Sequence, residues 1–321
     1  MNNIADISTA LNDQRAATSS VVRQRSLKTS IGCAGVGLHS GQKIQITLHP
    51  APVDHGVVFR RVDLPGKPQF AALYDEVIDT RLCTCLGDLA AGIKIGTIEH
   101  LMAALAGQRI DNILIDIDAD EVPVMDGSAA PFTFLIDCVG IEEQNAARLV
   151  VEVLKTVEVE HNGCRAKVEP ADGFHIDFEI DFASRAIANQ RLAVTFDDGV
   201  FVNSIARART FGFLHEVEAM RSAGLALGGS LENAVVLSGD SVMNEEGLRY
   251  ENEFVRHKIL DALGDLYAAG HQLQGKVTAY KSGHMVNNML LKALFADSSA
   301  WRLVPMRAAS LDVSEPIRAS A

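Results

Sequence analysis

The chain has 321 residues, 48% hydrophobic and 22% charged, with a formal net charge of -12. This composition excludes disordered and fibrous classes, and the negative balance, with no Lys/Arg stripe, excludes non-specific nucleic-acid binding. A chain of this length buries a large core and favours two domains over one.

Residues 1–24 are polar, rich in Ala, Ser and Asn, lack the apolar centre of a signal peptide, and read as a loose tail. From Ser26 to about Leu82, short alternating runs at Lys43 to Leu48 and Val57 to Val62, broken by Gly and Pro, predict strands. Gly35-Val36-Gly37-Leu38-His39-Ser40-Gly41 is either a tight loop whose backbone can approach a ligand or a hairpin with a solvent-facing His39. Thr97 to Gly107 reads as a short apolar helix, with Gly96-Thr97 as its N-cap and Gly107 as its stop. It carries Glu99 and His100 in its first turn, where a buried charge needs partners. A strand at Ile113 to Ile117, the turn Met125-Asp126-Gly127 and a helix capped by Ser128 and running through Phe132, Phe134, Leu135 and Ile136 follow.

After about Gln144 the pattern of strands, helix, strand, helix starts again, a duplication of pattern rather than of residue identity. Strands are predicted at Leu149 to Val159, Arg165 to Val168, Phe174 to Phe182, Arg191 to Phe196 and Lys276 to Tyr280, with a last helix from about His284 to Phe295. The segment Leu214 to Leu237 interrupts this series, and either packs on the sheet or walls a hydrophobic groove. Between Asn252 and Tyr267 lies a helix with His257, Asp261 and Asp265 at i, i+4 and i+8, hence on one face. Such a stripe is either a salt-bridged face or two donors for a divalent ion. A pair of similar halves commonly puts its site at their junction, which would bring Glu99-His100 against the His257 helix.

Five scattered cysteines without Cys-x-x-Cys fit reduced thiols in a cytoplasm. No apolar run has the roughly 20 residues of a membrane-spanning helix, so the protein is expected to be soluble, with at most a transient contact with a membrane surface. Taken together, His100, His257 and Asp261 offer two imidazoles and a carboxylate and leave a fourth position open, the pattern of a catalytic rather than a structural zinc. Glu99 beside it can act as general base for an attacking water, and His284, held in its charged form by Asp265, as general acid.

Seven motifs in order then resemble one known family: Gly35 to Gly41, Thr97 to Leu101, Met125 to Phe132, Ala208-Arg209-Thr210-Phe211-Gly212-Phe213, Gly224 to Ser230, His257 to Asp265 and Tyr280-Lys281-Ser282-Gly283-His284. The chain is similar to LpxC, the UDP-3-O-acyl-N-acetylglucosamine deacetylases of lipid A synthesis, from about Gln24 to about Phe295. The resemblance implies zinc bound by His100, His257 and Asp261, Glu99 as base, His284 as acid and Asp265 orienting His284. It implies that Thr210 stabilises the oxyanion and Lys258 contacts the substrate near the scissile amide. Substrate contacts are implied at Leu82, Cys83, Phe211, Leu214 and Gly229, with Phe211 packing on the nucleotide sugar. Arg256, Lys258 and Lys281 are the basic residues available to the diphosphate.

The fold implied is α+β, two similar domains, each a pair of helices on a β-sheet, with a small inserted sheet in the first and an inserted β-α-β unit in the second. On this chain the domains would be 25–145 and 146–297, with the acyl-chain passage at about 214–238 and a C-terminal tail from 298 to 321. A monomer acting on a small UDP-acyl-sugar is expected, with iron as the alternative ion to zinc. Two rivals remain at this point: another metal-dependent hydrolase, such as a phosphohydrolase, although no His-Asp dipeptide occurs in the sequence, and a non-catalytic scaffold held by a structural metal.

Overall fold

A computed structural model describes residues 21–308. In its first half lie β1 (Arg23–Leu27), β2 (Ile31–Val36), β3 (Lys43–Pro50), β4 (Val57–Arg61), β5 (Gln69–Ala71), β6 (Val77–Asp79), β7 (Cys85–Asp88), β8 (Ile93–Ile95), α1 (Glu99–Gly107), β9 (Ile113–Ile117), α2 (Ala130–Val139) and β10 (Ile141–Ala147). Strands β2-β3-β9-β4-β5 form one sheet, with β4 parallel to β9 and the other pairs antiparallel. The period-2 pattern of β3 explains its placement: Ile44, Ile46 and Leu48 are buried while Lys43 and Gln45 face solvent. Strands β6-β7-β8 make a separate small sheet.

The second half contains β11 (Leu149–Val153), β12 (Val157–His161), β13 (Cys164–Glu169), β14 (Phe174–Asp181), β15 (Asn189–Thr195), α3 (Val200–Ser204), β16 (Phe211–Phe213), α4 (Leu214–Ser222), β17 (Val235–Ser238), β18 (Ser241–Val242), α5 (Glu253–Tyr267), β19 (Gln272–Tyr280), α6 (His284–Ala296) and β20 (Trp301–Pro305). Its main sheet runs β12-β13-β19-β11-β20, with β14 joining β19 and β15. Strands β16 and β17 are parallel and α4 connects them, so the segment after Phe211 is a β-α-β unit, completed by β18. The fold is α+β, with mixed sheets and helices segregated between them.

Helix α5 is more than a surface stripe. Apart from Arg256 and Lys258 every residue in it is buried, the signature of a helix running through a core. Its partner is α1, in which all residues from Glu99 to Ala106 are buried. The two backbones touch at Gly264: a Cβ there would lie 2.0 Å from the Glu99 carbonyl oxygen and 3.0 Å from the Ala103 nitrogen. Only glycine permits that approach, and it brings the first turn of α1 against the fourth turn of α5.

Four local expectations change. Thr97 is not an N-cap: its φ is +56°, its hydroxyl donates to Glu121, and Ile98 occupies the cap position. Gly107 is still helical; the left-handed residue that turns the chain is Arg109, and Gly107 is glycine because a Cβ would sit 2.1 Å from the Phe201 ring. The run from Leu149 to Val159 is two strands, β11 and β12, which lie on different parts of the sheet. The segment expected as a tail from 298 carries β20, antiparallel to β11, and Val22 donates to the Met306 carbonyl beside it. This edge strand was hard to read because Arg302 breaks its apolar run and Pro305 ends it. Most of the expected tail of residues 1–24, and residues 309–321, fall outside the described residues.

Gly264→Ala forces backbone against backbone, so it is expected to destabilise the protein by roughly 3 kcal/mol, at the upper end of overpacking costs. Urea unfolding measures this; an unchanged midpoint would show that the two helices can separate without cost.

Candidate active site

Residues from both halves converge where α1 meets α5. His100, His257 and Asp261 are all buried, and one ligand atom from each lies within 4.8 Å of the others. Nε2 of His257 is 3.3 Å and Nε2 of His100 is 3.7 Å from Oδ1 of Asp261. The His257 Nδ1–H donates to the Ala208 carbonyl at 3.1 Å, which fixes the tautomer that leaves Nε2 with a free lone pair. Oδ2 of Asp261 accepts from Lys258 Nζ at 2.7 Å, while Oδ1 is buried and accepts no hydrogen bond.

The electrostatics favour a cation at this point. Burial, the larger cause, and the neighbouring His257 ring push His100 down to about 3, and burial holds His257 below its usual value, so both imidazoles are neutral donors near neutral pH. Burial opposes ionisation of Asp261, but His257 and the Lys258 ammonium outweigh it and hold the carboxyl well below the usual range. Two neutral imidazoles and an ionised carboxylate with an orphaned oxygen fit a divalent metal ion with three protein ligands.

Glu99 and His284 flank this triad. Burial pushes Glu99 well above the usual carboxylate range, with His284 opposing. His284 Nε2 is 3.7 Å from Glu99 Oε1, and its Nδ1 is hydrogen-bonded to Asp265 Oδ2 at 2.9 Å. Burial would lower the pKa of His284, but the Asp265 and Glu99 carboxylates outweigh it and raise it to about 10. One carboxyl poised to take a proton and one imidazolium poised to give it thus stand beside the three donors.

The remaining sequence-predicted residues fall at different distances from this centre. Thr210 follows Ala208 in the irregular stretch before β16, and Phe211 opens that strand, the first of the β-α-β unit. Phe211 packs edge-on against His257, at 6.2 Å between ring centroids, and Lys258 Nζ lies 5.9 Å from its ring centre. Leu214 opens α4, and Gly229 lies in the loop beyond it, its carbonyl accepting from Arg221. Leu82 is exposed, next to a buried Cys83 whose thiol is pushed up by its Cys85 contact and by burial, which removes it as a nucleophile. His39 turns inward, with both ring nitrogens buried, so the solvent-facing alternative does not hold. Arg256 is turned to Asn252, the Ser204 carbonyl and the Tyr250 ring, and Lys281 to Asp181.

Sequence reasoning missed three supports. Thr84 donates its N–H to Glu99 Oε2 and its hydroxyl to Asp265 Oδ1, and Asn287 donates to Asp265 Oδ2. Arg209, 2% exposed, is bound by Glu253, Glu246 and the Gly247 carbonyl, and so fixes the chain between Ala208 and Thr210. Only Arg209 carried a signal, the one charged residue of its motif.

Buried donors for one metal ion, with a carboxyl and a charged imidazole beside them on an α+β frame, form the arrangement of a hydrolytic enzyme. The chain belongs to the LpxC family, described as UDP-3-O-acyl N-acetylglycosamine deacetylase, which matches residues 24–296. A UDP-3-O-acyl-N-acetylglucosamine deacetylase from Acidithiobacillus ferrooxidans is 51% identical over 286 residues, covering 88% of this chain and 93% of the relative. Deacetylases of the same name from Idiomarina loihiensis and Pseudoalteromonas atlantica are 49% and 48% identical, covering 88% and 93% of this chain and 93% and 97% of their own. The protein is accordingly a deacetylase. No helix among the described residues is long and apolar enough to cross a membrane.

Arg209→Met leaves Glu253, which is 0% exposed, as an uncompensated buried charge. Breaking a buried pair in this way costs about 3–5 kcal/mol. Urea unfolding at neutral pH is expected to show that loss; a change under about 1 kcal/mol would mean that the pair contributes no more than a surface bridge.

Proposed function

We propose that the protein hydrolyses the N-acetyl amide of UDP-3-O-(3-hydroxyacyl)-N-acetylglucosamine, releasing acetate in the committed step of lipid A synthesis, with Zn2+ held by His100, His257 and Asp261. The observation that carries this reading is the buried, unpaired Asp261 Oδ1 facing the Nε2 atoms of two neutral imidazoles. Iron(II) suits the same donors. When bound, the ion supplies Lewis acidity toward water and the amide carbonyl.

The residues of this chain divide the remaining work. Glu99, made more basic by burial, takes the proton of the attacking water. His284, kept cationic by Asp265 and Glu99, delivers a proton to the departing amine nitrogen as the C–N bond breaks. The Thr210 hydroxyl and the Lys258 ammonium meet the negative charge that develops on the carbonyl oxygen. Leu82, Cys83, Phe211, Leu214 and Gly229 contact the substrate, and the segment 214–238 walls the acyl chain. In this reading residues 25–145 and 146–297 are duplicated domains, and the protein works in the cytoplasm as a monomer on a small-molecule substrate.

Purified His257→Ala is expected to lose both bound metal and acetate release. Glu99→Gln is expected to keep the metal and lose about two to four powers of ten in rate. Metal analysis, an acetate-release assay on the UDP-sugar, and chelation with zinc or iron add-back decide the matter; full activity of His257→Ala without metal would sink the assignment.

The acid is tested by pH. Asp265 raises the pKa of His284, so removing its charge lowers that pKa and deprotonates the acid sooner as pH rises. The alkaline limb of kcat/KM in Asp265→Asn is therefore expected at lower pH than in the wild type; an unmoved limb assigns it to another group.

A further inference from the structure

Thr84 lies in the stretch before β7, on the first-half side of the site, and is 3% exposed. The buried thiols of Cys83 and Cys85 flank it, their sulfurs 3.5 Å apart, so its backbone is pinned on both sides. Its hydroxyl donates to Asp265 Oδ1 at 2.6 Å, across the junction to α5. The other oxygen of Asp265 receives His284 Nδ1 at 2.9 Å and Asn287 Nδ2 at 2.8 Å. Both oxygens of this carboxylate are therefore committed, and its plane is set by three donors, one from the stretch before β7 and two from α6. The Thr84 N–H meanwhile holds Glu99 Oε2 at 3.1 Å, which leaves Oε1 as the oxygen nearer His284.

We propose that Thr84 is a positioning residue for the amide hydrolysis, its hydroxyl orienting Asp265 and, through Asp265, the His284 imidazole. A carboxylate that loses one of its donors can rotate, and an imidazole hung on its other oxygen rotates with it. Packing alone does not require the hydroxyl, since valine has the same shape. The hydroxyl acts on where the acid points rather than on how the substrate is held, so its removal reads in kcat and not in KM. The inference rests on the acid and base roles proposed above.

The experiment compares Thr84→Val and Thr84→Ser with the wild type in kcat, KM, unfolding midpoint and metal content. T84V is expected to keep its metal and its KM within about twofold, and to lose about 10- to 100-fold in kcat, the usual effect of removing a residue that orients a metal-site side chain. T84S, which restores the hydroxyl, is expected to recover to within about threefold of the wild type on the same reasoning. On an Asp265→Ala background T84V is expected to cost nothing further, because the acceptor is gone. If T84V does not fold, Thr84→Ala, which is smaller, takes its place in each comparison. The proposal is overturned if T84V keeps kcat within about twofold, or if its loss is as large on the Asp265→Ala background, which would mark a merely structural role. Wild-type kcat in Glu99→Gln or His284→Gln would instead remove the reading on which the inference rests.

Discussion

The contact on which the site depends is the crossing of α1 and α5 at Gly264. Each helix alone carries an incomplete set: α1 brings Glu99 and His100, α5 brings His257, Asp261 and Asp265. The imidazoles and the carboxylate share one point because the Gly264 Cα lies against the Glu99 backbone without a side chain between them. A methyl group at that position would push the first turn of α1 outward, and Glu99 and His100 would move away from α5 together. The positions of these buried groups are thus set by a packing constraint, as is expected where interiors are close-packed and transmit small shifts.

That packing has an electrostatic cost that explains the rest of the polar interior. Three carboxyl groups, Glu99, Asp261 and Asp265, lie buried against one ammonium, Lys258, and the imidazolium of His284. Buried charges are tolerated when paired and hydrogen-bonded, and nearly every oxygen here is engaged: Thr84 on Glu99 and Asp265, Asn287 and His284 on Asp265, Lys258 on Asp261. The exception is Asp261 Oδ1. Glu99 Oε1 has only His284 at 3.7 Å, so Asp261 Oδ1 is the one oxygen of the three carboxyls that is both fully buried and without a hydrogen bond, the feature that fits a cation there. The same economy appears one layer out, where Arg209 and Glu253 neutralise each other beneath the Ala208 carbonyl that orients His257.

What the sequence made legible follows from the range of each signal. The helical spacing of His257, Asp261 and Asp265 is local and periodic, so the stripe was readable, as were β3, β9 and β19 from their alternation. The contact of Asp265 with His284 was also readable, because the two could be paired by chemistry. Thr84 and Asn287 were not, since each is a neutral residue whose task is defined by a partner 181 or 22 positions away. Thr97 misled for a related reason: a threonine before an apolar run reads as a cap, whereas here Glu121 takes its hydroxyl and the residue adopts a left-handed backbone. The acceptors that Arg256 and Lys281 meet, the Ser204 carbonyl and Asp181, were not readable, because a positive charge in sequence says nothing of its partners.

Glu121 also shows how the loop and the β-α-β unit are held together. Besides Thr97 it accepts the backbone N–H groups of His39 and Ser40, which folds the loop from Gly37 to Gly41 back onto the start of α1. That loop in turn meets the segment after α4 at backbone distance: Leu227 and Gly228 donate to the carbonyls of His39 and Leu38, and a Cβ on Gly228 would lie 2.2 Å from the Gly37 carbonyl oxygen. The β-α-β unit therefore does not hang from the second half alone. Helix α4 buries none of its residues, so its position rests on these glycine contacts and on the short sheet of β16 to β18. The glycine motifs at 35–41 and 224–230 read as two separate loops in sequence, yet they form one seam. That seam ties the α4 unit to the half of the protein that carries Glu99 and His100.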